Sequence, residues 1–530
     1  MDILVPLMIG LPAAGAVLLL ILRSPDANVT RWGALLVTAA SAACSIAVAV
    51  QFFAIPSSAG DLSDPIATRW QLAHTWLDYG SSPWQGLRLE FLLGLDAISM
   101  SLVLLTSLLS VVSVLVSWRS IDKRVTEFFV CLLILQTGML GVFCAFDLIL
   151  FYVFFEFTLI PLFFLIGLWG GADRQRAAKR FFIYTLAGSF VTLVGLVWLV
   201  SLMIQRGTVD SPFSLIEIAR SLRADPLPYM VQVGLFLTIS TGFSVKVPLV
   251  PFHTWLPLAH VEAPTAGSVL LAGILLKLGT YGFLRLCLPM FPEACQYVGV
   301  PLMGTLGVIG VVYGALGALA QTDIKRLVAY SSVSHLGFCM LGLFALNVQG
   351  ITGGVMQMIN HGLSTGGLFL VVGILYERYH TRQMSELSGL ASRVPLIACS
   401  MVFICLSSIG LPGLNGFVGE FLSLAGMFKA QPIFAVVGTL GVVLGAWYLL
   451  ALLQKTFFGP LREPHHIHQP IADMNWREGM LLAPILFFCL YLGVYPQPLL
   501  DEIRPDVERI VRVYESPTTL ADAGPVTISE

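Results

Sequence analysis

Along this chain, apolar residues gather into long blocks separated by short polar connections. Blocks of about 20 apolar residues are long enough to cross a bilayer as helices. They fall near 2–22, 31–54, 90–117, 125–145, 147–169, 180–204, 229–250, 264–288, 298–320, 327–346, 353–377, 395–427, 432–456 and 479–496, fourteen in all. The pattern predicts an all-α polytopic membrane protein, with residues 1–530 forming one membrane domain because stacked spans make a single bundle. The block from Ile3 to Leu22 has neither a basic leader nor a small-residue cleavage site and reads as a retained first span. The longer connections, 55–89 and 205–228, are rich in Pro, Ser and Asp and are expected to carry amphipathic caps at most. Residues 497–530 read as a polar tail.

Two blocks contain helix breakers. In the seventh, Lys246 precedes Val-Pro-Leu-Val-Pro (247–251), and prolines there remove backbone donors at membrane depth. In the twelfth, Gly410-Leu-Pro-Gly-Leu-Asn-Gly416 leads to Glu420. Freed backbone at that depth is tolerated only inside protein or along a wet cavity. Broken spans in corresponding places are the mark of a transporter built from repeats. These lie five spans apart, an odd number. The expected units are therefore two five-helix repeats of opposite topology, 125–288 (spans 4–8) and 298–456 (spans 9–13).

Composition sharpens this reading. Hydrophobic residues make up 57% and charged residues only 11%, against about 25% charged in soluble domains. A net charge of −2 gives no sign of nucleic-acid binding. The nine Cys are scattered through apolar stretches, and no iron–sulfur, haem, zinc or nucleotide motif is visible. Basic residues crowd one set of loops, among them Arg119, Lys123, Arg124, Arg174, Arg176, Lys179, Arg180, Lys325, Arg326, Arg378 and Arg382. The opposite short loops hold little beyond Arg285 and Lys429. The positive-inside rule makes the first set cytoplasmic and, with an even span count, puts both termini outside. A bacterial-type inner membrane is the simplest setting.

Of the 29 Lys and Arg residues, only Lys246 and Lys277 fall deep within the predicted spans. A lysine at the centre of a bilayer helix costs about 2.5–3.5 kcal/mol on insertion scales, so each needs a reason. Glu156 lies in Phe-Tyr-Val-Phe-Phe-Glu-Phe-Thr-Leu-Ile-Pro (151–161), where Pro161 frees the Phe157 carbonyl. An acid there, affected by its distance from Lys246, can take up and release protons; a static ion pair is the plainer alternative. Lys277, in Gly-Ile-Leu-Leu-Lys-Leu-Gly (273–279), is suited to a relay because burial disfavours the ammonium form. His253 and His260 bracket the turn after the first break and are candidates for proton entry or for loop hydrogen bonding. His335 and His361, on adjacent spans amid Ser and Asn that could order water, are candidates for a relay or for satisfied packing residues, and Glu420, the last acid within a span, for a terminal donor or acceptor. Asp323, Lys325 and Arg326 read as an interfacial anchor, and His465-His-Ile-His468 as a solvated loop, with metal binding its alternative.

Three stretches together resemble a known family: Phe-Phe-Glu-Phe-Thr-Leu-Ile-Pro (154–161), Lys246 through Arg285, and Gly-Leu-Pro-Gly-Leu-Asn-Gly-Phe-Val-Gly-Glu-Phe (410–421). They are similar to the antiporter-like membrane subunits of NADH:quinone oxidoreductase, respiratory complex I. The acid at Glu420, where the sibling subunits have lysine, points to the branch called chain M or subunit 4. The resemblance implies fourteen helices with discontinuous helices 7 and 12, and proton translocation coupled to NADH oxidation and quinone reduction. It implies that Glu156 pairs with Lys246, that Lys277 is the central relay, and that His335, His361 and Glu420 carry the proton onward. It also implies no cofactor in this chain, with FMN, iron–sulfur clusters and quinone held by other subunits. The implied partners are the other membrane-arm subunits, including two antiporter-like siblings. A subunit of a multi-subunit sodium/proton antiporter, or a non-pumping scaffold, are the competing readings.

Overall fold

The computed structural model describes residues 1–55, 64–78, 88–209, 211–464 and 471–515. It is mostly helical, as expected where backbone must satisfy itself away from water. In chain order come α1 (Leu4–Leu22), α2 (Ala27–Phe53), strands β1 (Trp70–Asp78) and β2 (Arg88–Leu95), α3 (Ala97–Ser120) and α4 (Val125–Cys144). Next are α5 (Leu148–Trp169), α6 (Arg174–Arg206), the short α7 (Leu215–Ala224), α8 (Tyr229–Lys246), α9 (Leu256–Glu262), α10 (Thr265–Met290) and α11 (Pro292–Leu319). The chain continues through α12 (Ile324–Leu343), α13 (Val348–Tyr379), α14 (Pro395–Ile409), α15 (Asn415–Ala430), α16 (Pro432–Thr456), α17 (Trp476–Val494) and α18 (Gln497–Val511). Among the described residues, eleven helices are long and apolar enough to cross a membrane. The expected seventh and tenth spans fall on α8 and α12, and the twelfth on the pair α14 and α15.

Several helices start where a short polar side chain precedes the apolar block. Asp26, Asp96, Asp147, Asp323 and Asn347 each accept a backbone N–H from the first turn of α2, α3, α5, α12 and α13. The bundle is graded from rim to centre. The apolar windows of α10 and α13 are wholly buried, whereas α1, α2, α6, α16 and α17 leave most of theirs on the surface. Val50, Ile183, Phe190, Val443 and Phe487 on these rim helices are exposed apolar side chains, as a lipid-facing surface requires. Between inner helices, small residues allow close approach. A Cβ on Gly337 of α12 would sit 2.6 Å from the Gly307 carbonyl oxygen of α11.

Two expectations from the sequence are corrected. Residues 70–78 and 88–95 form an antiparallel hairpin, with Trp70 opposite Leu95 and Asp78 opposite Arg88. Apolar Phe91 to Leu95 had been absorbed into the expected third span, yet helix α3 begins only after Asp96. A short apolar run does not by itself distinguish strand from helix. The strand pairs instead with loop backbone: Phe146 N–H donates to the Leu92 carbonyl at 3.0 Å. The segment expected to be a polar tail begins with α18, whose Ile503, Val507 and Ile510 are buried. Their spacing of four and three residues makes one apolar stripe that average polarity over 34 positions hides.

Candidate functional site

α8 ends at Lys246, and the backbone then turns through Val247–Pro251 before a single 3₁₀ turn and α9. The break is closed by side chain and backbone: the Trp255 indole donates to the Val245 carbonyl at 3.0 Å and Leu249 N–H to Ser244 at 2.9 Å. Such partners make interrupted helix tolerable at membrane depth. Lys246 is buried, with its ammonium 4.3 Å from the centre of the Phe155 ring and 3.3 Å from Thr158 Oγ1. α5 loosens at Thr158, two residues beyond Glu156 and one beyond the Phe157 carbonyl that Pro161 was expected to free. Glu156 is half-buried and lies outside 4.0 Å salt-bridge contact with Lys246. Thr158 and Phe155 instead hold the lysine, and sequence reasoning did not single out either. A small enclosed void, bounded by Thr158, Phe181, Lys246, Trp255 and Leu275, separates Lys246 from the helix carrying Lys277.

Lys277 sits at the centre of α10, fully buried. The preceding five residues, Leu271–Leu275, form a wide π turn, a departure often found at functional positions. Its Ala272 carbonyl accepts from the Lys277 ammonium. On the other side, Lys277 Nζ lies 2.6 Å from His361 Nδ1 on α13. The His361 and His335 ring centres are 5.6 Å apart, and His361 Nε2 makes no hydrogen bond among the described residues. His335 Nδ1 then meets Glu420 Oε1 at 2.8 Å. Four of the six expected residues thus stand in one buried row: Lys277, His361, His335 and Glu420.

The second helix break positions the end of that row. Gly410 adopts φ +81°, which glycine tolerates and a Cβ would strain, and a Cβ there would also lie 3.3 Å from Glu420 Oε2. Asn360 and Asn415 tie α13 to the break: Asn360 Nδ2 donates to the Asn415 carbonyl at 2.6 Å, and Ser407 Oγ donates to Asn415 Oδ1 at 2.5 Å. Two partners were missed from sequence. Gln357 Nε2 donates to Glu420 Oε1 at 3.0 Å, and Tyr448 OH is 3.5 Å from His335 Nε2. Gln357 lies one helical turn before His361, a spacing that could have revealed it. Tyr448, on α16, carried no such signal.

The other expected residues lie apart from the row. His253 packs its ring on Tyr313 at 5.0 Å, and its Nδ1 makes no hydrogen bond among the described residues. His260 is fully buried and stacked on Phe369 at 4.6 Å, with neither ring nitrogen hydrogen-bonded. Lys246 and Lys277 are not the only interior cations. Lys325 is buried and donates to the Ala263 carbonyl at 2.5 Å, so it joins α12 to the α9–α10 turn and is no exposed anchor. Arg285, counted with the outer loops although it falls near the end of the expected span 264–288, is buried within α10 and pairs with Asp96. Among the described residues, no group of three His, Cys, Asp or Glu is placed to hold a metal ion. The His465–His468 stretch lies outside the described residues.

A helical bundle with two broken helices and a row of buried titratable groups defines a membrane protein of the antiporter-like class. A family model described as "NADH:quinone oxidoreductase/Mrp antiporter, TM" matches residues 145–445. The NADH-quinone oxidoreductase subunit M of Rhodobacter capsulatus is 44% identical over 452 residues, covering 82% of this chain and 85% of that protein. NADH-ubiquinone oxidoreductase chain 4 of Marchantia polymorpha is 41% identical over 438 residues, covering 82% and 84%. A chain of respiratory complex I from Thermus thermophilus superposes with a TM-score of 0.82 at 31% identity, covering 97% of this chain and 100% of that one. A chain of the Mrp complex from Dietzia shares the fold alone, with a TM-score of 0.79 at 20% identity over 98% and 99%. This chain belongs to the NADH:quinone oxidoreductase/Mrp antiporter family, in its subunit M, or chain 4, branch.

Proposed function

We propose that this chain translocates protons as an antiporter-like membrane subunit of an NADH:quinone oxidoreductase. NADH oxidation and quinone reduction occur in other subunits, with no redox centre in this chain. The observation that carries the reading is the row Lys277–His361–His335–Glu420, with contacts of 2.6 and 2.8 Å at its two ends. Lys277 holds a proton that its neighbour can accept, since His361 presents a nitrogen to the amine. His335 passes a proton to Glu420, and rotation of the imidazoles bridges the gap between their rings. Glu156 and Lys246 act on this row through their field. Moving Glu156 away from Lys246 leaves a second cation near Lys277, which favours release of the Lys277 proton. His253 and His260 lie on the entry side.

The wider architecture in this reading is fourteen spans with inverted repeats over 125–288 and 298–456, and both termini on the outer face of a bacterial inner membrane. The partners are neighbouring membrane-arm subunits, including the two antiporter-like siblings. The Glu156→Gln variant tests the mechanism in inverted membrane vesicles. NADH-driven acidification is expected to fall about tenfold while electron transfer from NADH to an artificial acceptor persists. Unchanged pumping would falsify the mechanism. Sodium-dependent pH changes without NADH would favour a sodium/proton antiporter instead.

A further inference from the structure

The start of α3 receives two carboxylates from opposite ends of the sequence. Asp96 accepts the Ser99 N–H at 2.8 Å and pairs with Arg285 of α10. Asp506 of α18 accepts the Ala97 N–H at 2.8 Å. Arg285 also donates to Ser99 Oγ at 3.2 Å, and Ser99 Oγ hydrogen-bonds Tyr281 OH at 2.8 Å. The cluster is closed to solvent, with Asp96, Arg285 and Asp506 only 1%, 2% and 7% exposed. Asp96, Arg285 and Arg69 are the charged groups that act on Asp506. Arg69, beside β1, is already engaged by Glu502 of α18 at 2.6 Å. Arg509, buried on α18 itself, is also engaged.

The carboxylate of Asp96 already engages Arg285, so Asp506 is buried beside a like charge, and the helix start adds only about half a positive charge. A buried, uncompensated carboxylate is costly, and such groups neutralise by taking up a proton. We propose that Asp506 holds a proton beside the Asp96–Arg285 pair, and that this proton governs how firmly α18 stays docked on α3. The cluster shares no residue with the Lys277–Glu420 row, so its test is separate from the proposed translocation. Burial, with the charge of Asp96 next, raises the Asp506 carboxyl from its usual range to about 7. An acid whose docked-state pKa is raised binds its proton more tightly docked than free. Docking is therefore strongest below about pH 4 and weakens up to about tenfold per pH unit to about pH 7, with no further loss above that.

The test uses the intact complex in membranes. Infrared titration should show a protonated-carboxyl band that fades with a midpoint near pH 7 in the native protein and is missing in Asp506→Asn. Hydrogen exchange of residues 497–511, corrected for intrinsic rates, should rise between about pH 5 and 7 in the native protein. It should stay flat in Asp506→Asn, whose amide oxygen can still cap Ala97. Asp96→Asn supplies an independent arm: with the like charge gone, the band midpoint should move down by about one pH unit or more. Any one of three results overturns the proposal: the same band in Asp506→Asn, an unmoved midpoint in Asp96→Asn, or equal pH dependence of exchange with and without Asp506.

Discussion

The two ends of the buried charged system are built of different materials. Around Lys246 the neighbours are aromatic: Phe155 faces the ammonium, and Phe243 packs on Phe155 and Phe283 with ring centres 5.8 and 5.7 Å apart. Around Glu420 they are hydrogen-bonding groups, with His335, Gln357, Asn360, Asn415 and Ser407 in or beside the row. At the aromatic end Lys246 donates to Thr158 and not to the row, and a small void lined by Lys246, Leu271 and Leu275 lies on its α10 side. This end can transmit a field. Two unit charges about 8 Å apart at an effective dielectric near 20 interact by about 2 kcal/mol, enough to move a proton equilibrium more than tenfold. The polar end has the opposite property, since each group reaches or nearly reaches the next. One end is thus suited to sensing and the other to carrying.

The largest expected effect separates carrying from holding the fold together. Lys277→Met should cut pumping by about a hundredfold, the scale of losing a positioned proton-transfer group. The thermal midpoint of the complex should hold or rise, because an apolar side chain replaces a buried cation. Persistent pumping in this variant, measured in the same vesicles, would remove Lys277 from the path. A smaller effect tests the sensing end. If Glu156 and Lys246 act on the row as a pair, Glu156→Gln and Lys246→Met together should do little more harm than either alone. The coupling energy from pumping rates should be about 1 kcal/mol or more; additive losses would mean that the two act separately. The smallest effect concerns Tyr448. Its hydroxyl is 3.5 Å from His335, at the edge of hydrogen-bonding reach. Tyr448→Phe should lower pumping by less than about twofold, and a larger loss would bring the hydroxyl into the conducting row.

The sequence was legible where chemistry is rare. A lysine or glutamate within an apolar block is costly enough to stand out, which is how Lys246, Lys277, Glu156 and Glu420 were found. The breaks near residues 247 and 413 were equally visible, because Pro and Gly interrupt a helix wherever they cluster. Gln357 and Thr158 were harder to see, since a neutral side chain in a span has no comparable cost and its importance depends on what another helix brings to it. Arg285 was misplaced because a basic residue near the end of a span was counted with the loops, although its partner Asp96 lets it be buried. Asp96 fell inside the expected span 90–117 without standing out, and Asp506 fell in the expected tail. Their meeting depends on positions 97 and 506, which only tertiary structure brings together.

That last contact also fixes when the fold can close. Residues 97 and 506 are 409 positions apart, and chains grow from the N-terminus at about 5–20 residues per second, so roughly 20–80 s of synthesis separate the two partners. For all that interval α3 waits in the membrane with its first amide uncapped and Arg285, once made, facing a single acid. Asp506 therefore closes a helix start laid down more than a minute earlier at the slow end of that range.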